Sequence, residues 1–286
     1  MDIWIARVAW IVLPFTLGRA IGDAIETWTA SAAFVAEVLA WAAWTVGAFA
    51  LFAPRPWGLT ALRILCADAL VIAITCAWWS DAPTTVLAFA SVAVACVGSL
   101  GAAVAMASVA ALDYGDERRH PLRVPFPLLL APVPAAAVAA GAGFVAPVLV
   151  LANDRLVLGA ALGVIGVPMA LAAIRMLHAL VGRLLVFVPA GLVVVDPFTL
   201  TDPVLLSRGI VARVAPRNVV EPPPDALDLR VGTVLGSLLV VLSEPASASR
   251  RRGRRDAELI ETNQLLVAVV RPAVVTAMAH DRLQTA

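Results

Sequence analysis

Leu177-His178-Ala179-Leu180-Val181-Gly182-Arg183-Leu184-Leu185-Val186-Phe187-Val188-Pro189-Ala190-Gly191-Leu192-Val193-Val194-Val195 is the stretch on which the fold turns. Up to about Val181 the chain is one long apolar run after another. From Arg183 onward it becomes short Val-rich runs, turn residues and charge. A bilayer core takes roughly 20 mostly apolar residues per helix, so the first part is long enough for several crossings. The second part is not. The expected organisation is a transmembrane helical domain over residues 1–182 and a β-rich domain over residues 183–286.

Composition agrees with this split. The chain is 61% hydrophobic and 14% charged, with a mean hydropathy of +0.92. Soluble domains sit nearer half apolar and a quarter charged. The formal net charge of +1 speaks against a nucleic-acid binder, which needs a basic face. All 21 basic residues are Arg, which together with the Ala and Val content fits a GC-rich genome such as an actinomycete's. The Met1-Asp2 start lacks the basic region of a cleaved signal peptide. Cys66, Cys76 and Cys96 lie in apolar runs without C-x-x-C spacing, so they read as buried thiols rather than a zinc or redox site.

Six spans are expected: about Ile3 to Ile21, Ala32 to Phe52, Leu59 to Trp79, Val86 to Leu112, Leu128 to Leu151 and Leu156 to Val181. Only Ala152-Asn153-Asp154-Arg155 joins the last two, which makes them antiparallel neighbours. Arg55, Arg118, Arg119, Arg123 and the Arg-rich C-terminal part fall on one side of the membrane. By the positive-inside rule that side is cytoplasmic, with both termini there and the chain in the inner membrane. Trp28, Trp57, Trp78 and Trp79 sit at span ends, where interfacial aromatics belong. Gly159 and Gly163, four apart, make a small-residue face. It serves helix packing within the chain, with a homo-oligomer contact as the other use.

An ionisable group inside a span is a functional-site hypothesis. Arg7, Arg63 and Arg175 lie near expected cytoplasmic ends, from which long stems reach the headgroups. Asp68 lies near mid-depth on a short side chain, so it must be protonated, paired or in a wet cavity. Arg7 and Arg175 are its prospective partners, and Glu37 is within reach of Arg19. Together Asp68, Arg7, Arg175 and Glu37 form the candidate intramembrane polar site, either a relay or substrate cavity or a packing ion pair.

Beyond Arg183, strands are expected at Leu184–Val188, Leu192–Val195, Val204–Leu206, Ile210–Val214, Leu227–Val231, Leu238–Leu242 and Leu265–Val270. Pro189-Ala190-Gly191 supplies a hairpin turn. The segments Pro222-Pro223-Pro224 and Ser243 to Glu258 read as loops, and Pro272 to Leu283 as a closing helix with Pro in its first turn. Seven strands and a helix in about 100 residues fit a small, partly open barrel or sandwich.

That order, carried by Leu184–Asp196 and by Arg271-Pro272-Ala273-Val274-Val275, resembles a pleckstrin-homology-like module. The whole chain resembles multi-pass membrane proteins of actinobacteria that carry such a module. The resemblance implies an interaction module and brings no catalytic residues. The chain departs from it in lacking any aromatic residue after Phe198.

Arg250-Arg251-Arg252-Gly253-Arg254-Arg255 is the densest charge run. Beside a membrane such a run binds anionic headgroups, at roughly 1 kcal/mol per arginine; the plainer reading is a solvated hairpin tip. His120, His178 and His280 have no metal-type spacing, and no hydrolase, nucleotide or zinc-protease motif occurs. Asp113, Asp116 and Glu117 form the most polar loop of the membrane half. They read as locally paired charges rather than a divalent-ion site, and no cofactor is expected. The functional expectation is a non-catalytic anchor, scaffold or accessory subunit of a cell-envelope complex. Its C-terminal module would dock a protein partner or inner-leaflet lipid. The rival is a transporter or channel component built around Asp68.

Overall fold

The computed structural model describes residues 3–253 and 256–283. Its helices are α1 (Ile3–Ile25), α2 (Ala30–Phe52), α3 (Pro56–Cys76), α4 (Ala82–Ser99), α5 (Ala102–Ala110), α6 (Phe126–Leu130), α7 (Pro132–Ala152), α8 (Leu156–Val181) and α9 (Pro272–Leu283). Its strands are β1 (Arg118–Pro121), β2 (Leu184–Val188), β3 (Gly191–Val195), β4 (Val204–Ser207), β5 (Val211–Pro216), β6 (Ala226–Asp228), β7 (Ser237–Arg252) and β8 (Asp256–Ala268). The chain divides into two compact units. The first runs to Ser108 and resumes from Pro132 to His178; the second takes Val109–Ala131 and the chain from Ala179 on.

Helices α1, α2, α3, α4, α7 and α8 are long and apolar enough to cross a membrane. Thr29 and Asp81 cap α2 and α4, accepting hydrogen bonds from Ala32 N and Thr84 N and satisfying amides that the first turn leaves open. Small residues set how closely the helices approach. A Cβ at Gly98 of α4 would press on the Ala6 backbone of α1, and the backbones of α7 and α8 touch at Gly143 and Gly166. Gly163 faces Pro147 of α7, and Gly159 abuts Leu151. The glycine pair picked out in the sequence therefore serves packing between α7 and α8. The fourth span is shorter than expected. It stops at Ser99, and the chain breaks at Leu100-Gly101 before α5. Hydropathy cannot register that break, because Ala and Val continue on both sides.

The second unit holds two four-stranded sheets, ordered β1-β2-β3-β4 and β5-β7-β8-β6. Neither closes on itself. Neighbours are antiparallel except β6 and β8, which run parallel. Between them lies one apolar core that includes Leu185, Phe187, Leu206, Leu238, Val240 and Val267, closed at one side by Val275, Ala279 and Leu283 of α9. Gly191 is fixed by the sheet. Its φ is +148° and a Cβ there would strike Leu206 O on the neighbouring strand, so only Gly fits.

Two features differ from the sequence reading. First, the second unit does not begin at Arg183 alone. Arg118–Pro121 pairs antiparallel with Leu184–Phe187, and the segment just after it reaches the other sheet through a Leu122–Val269 bridge. Residues from one of the expected loops thus join both sheets. The segments 118–121 and 184–188 lie in one sheet, and between them come two helices long and apolar enough to cross a membrane, α7 and α8. Second, Ser243–Glu258 is not a loop. After a bulge between Val241 and Ala246, β7 and β8 continue as a paired ribbon, from Ala246↔Thr262 to Arg252↔Asp256. Ala246 and Ala248 point inward and are buried, giving a period-two pattern written in weak strand formers.

Candidate functional site

The expected intramembrane cluster is not assembled as a cluster. Asp68 lies on α3, about 18 Å of helix from Pro56 and about 12 Å from Cys76 at 1.5 Å per residue. Its carboxyl occupies the notch left by Gly141 of α7, where any Cβ would collide with it. Among the described residues, no cation pairs with Asp68 and no group donates a hydrogen bond to it. Arg7 goes elsewhere. Its Nε donates to Leu51 O at 3.1 Å, and its guanidinium sits 4.6 Å from the Trp4 ring centroid and 5.1 Å from that of Phe52. Rings in that position hold a cation by their quadrupole. Arg175 is exposed on α8. Glu37 does not pair with Arg19. It opens onto a groove of about 330 Å³ lined by α1 and α2, among them Leu17, Gly18, Gly22 and Trp41.

Sequence reasoning missed two polar contacts between the first half of α3 and the end of α8. The Arg63 Nη1 donates to Leu177 O at 3.3 Å. Thr60 Oγ1 and His178 Nδ1 are 3.0 Å apart. Both tie α3 to α8. Cys66 and Cys96 also meet, the Cys96 thiol donating to Cys66 O at 3.6 Å.

In the second unit the arginine run falls on the β7–β8 ribbon. Arg250, Arg251 and Arg252 are exposed; Arg254 and Arg255 lie outside the described residues. Arg250 faces Glu258 across the ribbon, and Arg252 faces Asp256. An exposed ion pair joins Arg252 to Glu258 at 2.8 Å. Arg251 points to the other face, which it shares with Leu259, opposite Ser249. Leu259 is 72% exposed. The run is thus partly compensated on one face and basic with an apolar neighbour on the other.

Position follows from the pairing. Val195 faces Leu184, Leu200 N bonds Asp196 O, and Leu200 bridges Arg250. With about 5 Å per paired strand and 3.8 Å per residue, Arg250 lies within on the order of 20 Å of Leu184. Leu184 is three residues past the end of α8.

A buried ion pair organises this end of the unit. Arg183 donates to both carboxylate oxygens of Asp196, at 2.9 and 2.8 Å, and also to Arg123 O and Leu229 O. Asp196 accepts further from Phe198 N and Thr199 Oγ1. Every strong valence is filled, the condition under which a buried pair is tolerated. The acidic loop is satisfied in part, with the Arg119 Nη1 buried without a partner among the described residues. Asp113 accepts from Arg119 N, Glu117 pairs with Arg119 at 2.6 Å, and Arg282 reaches Asp116 O. Among the described residues, no three His, Cys, Asp or Glu converge on a metal position.

His120 differs. It is 4% exposed, packs edge-on against Phe187 at 5.6 Å, and has no partner for either ring nitrogen among the described residues. Burial holds its pKa below the ordinary value. Asp113 opposes that shift and Arg282 reinforces it.

No family model, curated protein or solved structure matches this chain.

Proposed function

We propose that this chain is a non-catalytic, membrane-anchored adaptor of a bacterial cell-envelope complex. In this reading six helices hold it in the cytoplasmic membrane with both termini inside. The β-rich unit, a pleckstrin-homology-like module, docks anionic inner-leaflet lipid or a partner protein bound there. The observation that carries the reading is the basic ribbon, Arg250 to Arg252, tied by Leu200 close to Leu184, where the chain has just left α8. Arginines at a leaflet surface each contribute roughly 1 kcal/mol toward anionic lipid, and Leu259 beside Arg251 adds an apolar contact. Two sheets and a terminal helix packed on their core support the module assignment. The local pairing of Asp113 and Glu117 with Arg119 supports a non-catalytic role.

The test uses the whole chain, because a fragment from Arg183 onward would lack β1. Hydrogen exchange is followed across residues 247–261 in nanodiscs of phosphatidylcholine, with and without phosphatidylglycerol. Slower exchange with the anionic lipid is expected, and its loss when Arg250, Arg251, Arg252, Arg254 and Arg255 become Gln. Equal exchange in both membranes would overturn lipid docking.

A second reading rests on Asp68, a carboxyl without a partner set in the Gly141 notch. It is a transporter or channel component using that site. Asp68→Asn would then abolish proton-coupled flux in proteoliposomes while the protein stays folded.

A further inference from the structure

The second unit carries an apolar pad that neither its core nor the basic ribbon explains. Helix α6 exposes Phe126 (57%), Leu129 (46%) and Leu130 (69%). The loop between β6 and β7 exposes Leu235 (71%) and Val231 (37%). The two are fastened together. Phe126 N donates to Thr233 Oγ1 at 2.9 Å, and a Cβ at Gly232 would touch Pro127. Scattered exposed apolar residues are ordinary on soluble surfaces, but these come from two joined segments. Residues 124–152 contain no charge, nor do residues 231–243.

The loop is also held in an unfavourable shape. Val231 has φ +51° and Gly232 φ +80°, with Thr233 N bonded to Arg230 O. Two successive positive φ values belong to a turn that favours Asn or Gly at its first central position; a β-branched residue there is a steric outlier. Arg230 holds the turn from below, paired with Asp228 and bonded to Val219 O. The loop thus presents a valine in a backbone conformation that disfavours one.

Covalent reach identifies what covers the pad. Leu130 precedes Pro132, the first residue of a candidate span, by two positions. At 3.8 Å per residue this is about 8 Å. The headgroup layer is roughly 5–8 Å thick on each side of the hydrocarbon core. We infer that α6 and the β6–β7 loop form one lipid-facing pad, seated at the boundary between headgroups and acyl chains. This rests on α7 spanning the bilayer. It adds to the basic ribbon a second, apolar contact of the β-rich unit with the leaflet.

The experiment places an environment-sensitive fluorophore on single cysteines in full-length protein whose Cys66, Cys76 and Cys96 have been replaced. The sites are Leu235→Cys, Phe15→Cys, Val164→Cys and Val220→Cys. The last lies on the second unit, 79% exposed and outside the pad. Vesicles of phosphatidylcholine and phosphatidylglycerol contain spin-labelled lipid with the nitroxide near the headgroup or at mid-chain. Emission at 235 is expected to shift to the blue and be lost chiefly to the shallow nitroxide. Emission at 15 and 164 is lost chiefly to the deep one, and at 220 to neither. Quenching at 15 and 164 without quenching at 235 overturns the pad alone. A blue-shifted but unquenched probe at 235 means a protein covers it and also overturns the pad. No quenching at 15 or 164 overturns the membrane reading itself, and the pad with it.

Discussion

Trp10 and Trp44 exchange indole hydrogen bonds: each Nε1–H donates to the other's backbone carbonyl oxygen at 2.9 Å. Both carbonyls belong to helices, so the indoles use their second lone pairs. The exchange clasps α1 to α2, and Gly47 makes room for it, since a Cβ there would overlap the Trp10 ring. Interhelical hydrogen bonds in membranes contribute about 0.6–2 kcal/mol. Trp10→Phe and Trp44→Phe should each lower stability by about 1 kcal/mol, measured by unfolding in mixed micelles. Gly47→Leu should cost more than either. Equal stability of all three variants would show the clasp to be idle.

Gly141 and Asp68 form a lock that can be tested by compensation. Gly141→Ala puts a methyl into the carboxyl and should cost about 1–3 kcal/mol through overpacking. Asp68→Ala in the same chain should recover most of that loss. Absence of recovery would mean that the notch constrains α7 for some other reason.

The buried pair of the β-rich unit should be the most sensitive position outside the membrane. Asp196→Ala leaves the Arg183 guanidinium buried with only carbonyl partners. The expected loss is about 3–5 kcal/mol, read as a lowered unfolding midpoint of the full protein. Replacing Arg183 with Met and Asp196 with Leu together should cost far less than Asp196→Ala alone.

His120 gives stability a defined pH dependence. Its folded pKa is depressed, so above about 6.5, the ordinary value, the imidazole is neutral in both states and full stability is present. As pH falls below that value the unfolded chain takes up a proton that the folded unit refuses, and stability declines. His120→Leu should flatten this decline. It should also gain about 1 kcal/mol at pH 7.5 by removing two unpartnered buried nitrogens. A decline of unchanged slope in the variant would assign the effect to another group.

Much of this architecture is legible in the sequence, for reasons that differ by element. Pro272 to Leu283 reads as a helix because Pro opens it and few strand formers follow beyond Val274 and Val275; the structure adds that Val275, Ala279 and Leu283, at helical spacing, are its buried residues. Strands β2 and β3 read clearly because Leu and Val flank a turn ending in Gly191. Strand β1 is hidden because Arg118-Arg119-His120-Pro121 has no strand formers. Non-local pairing with Leu184–Phe187 creates it. The ribbon is hidden for a similar reason: its inner face is alanine, and Pro245 falls at the bulge. Sequence spacing places Asp68 well inside the third span, but that position alone could not say that Arg7 would turn to Trp4, Phe52 and Leu51 instead.

The pairing of β1 with β2 also fixes an order of events during synthesis. β1 ends at Pro121 and its partner begins at Leu184, with two candidate spans between them. At about 5–20 residues per second, the roughly sixty intervening residues take on the order of 3–12 s to make. Throughout that interval β1 has no neighbour. If either span failed to insert, the two strands would be stranded on opposite faces of the bilayer and the first sheet would form without its edge strand. Completion of the first sheet therefore depends on both spans having crossed, which ties the folding of the β-rich unit to the threading of the helices before it.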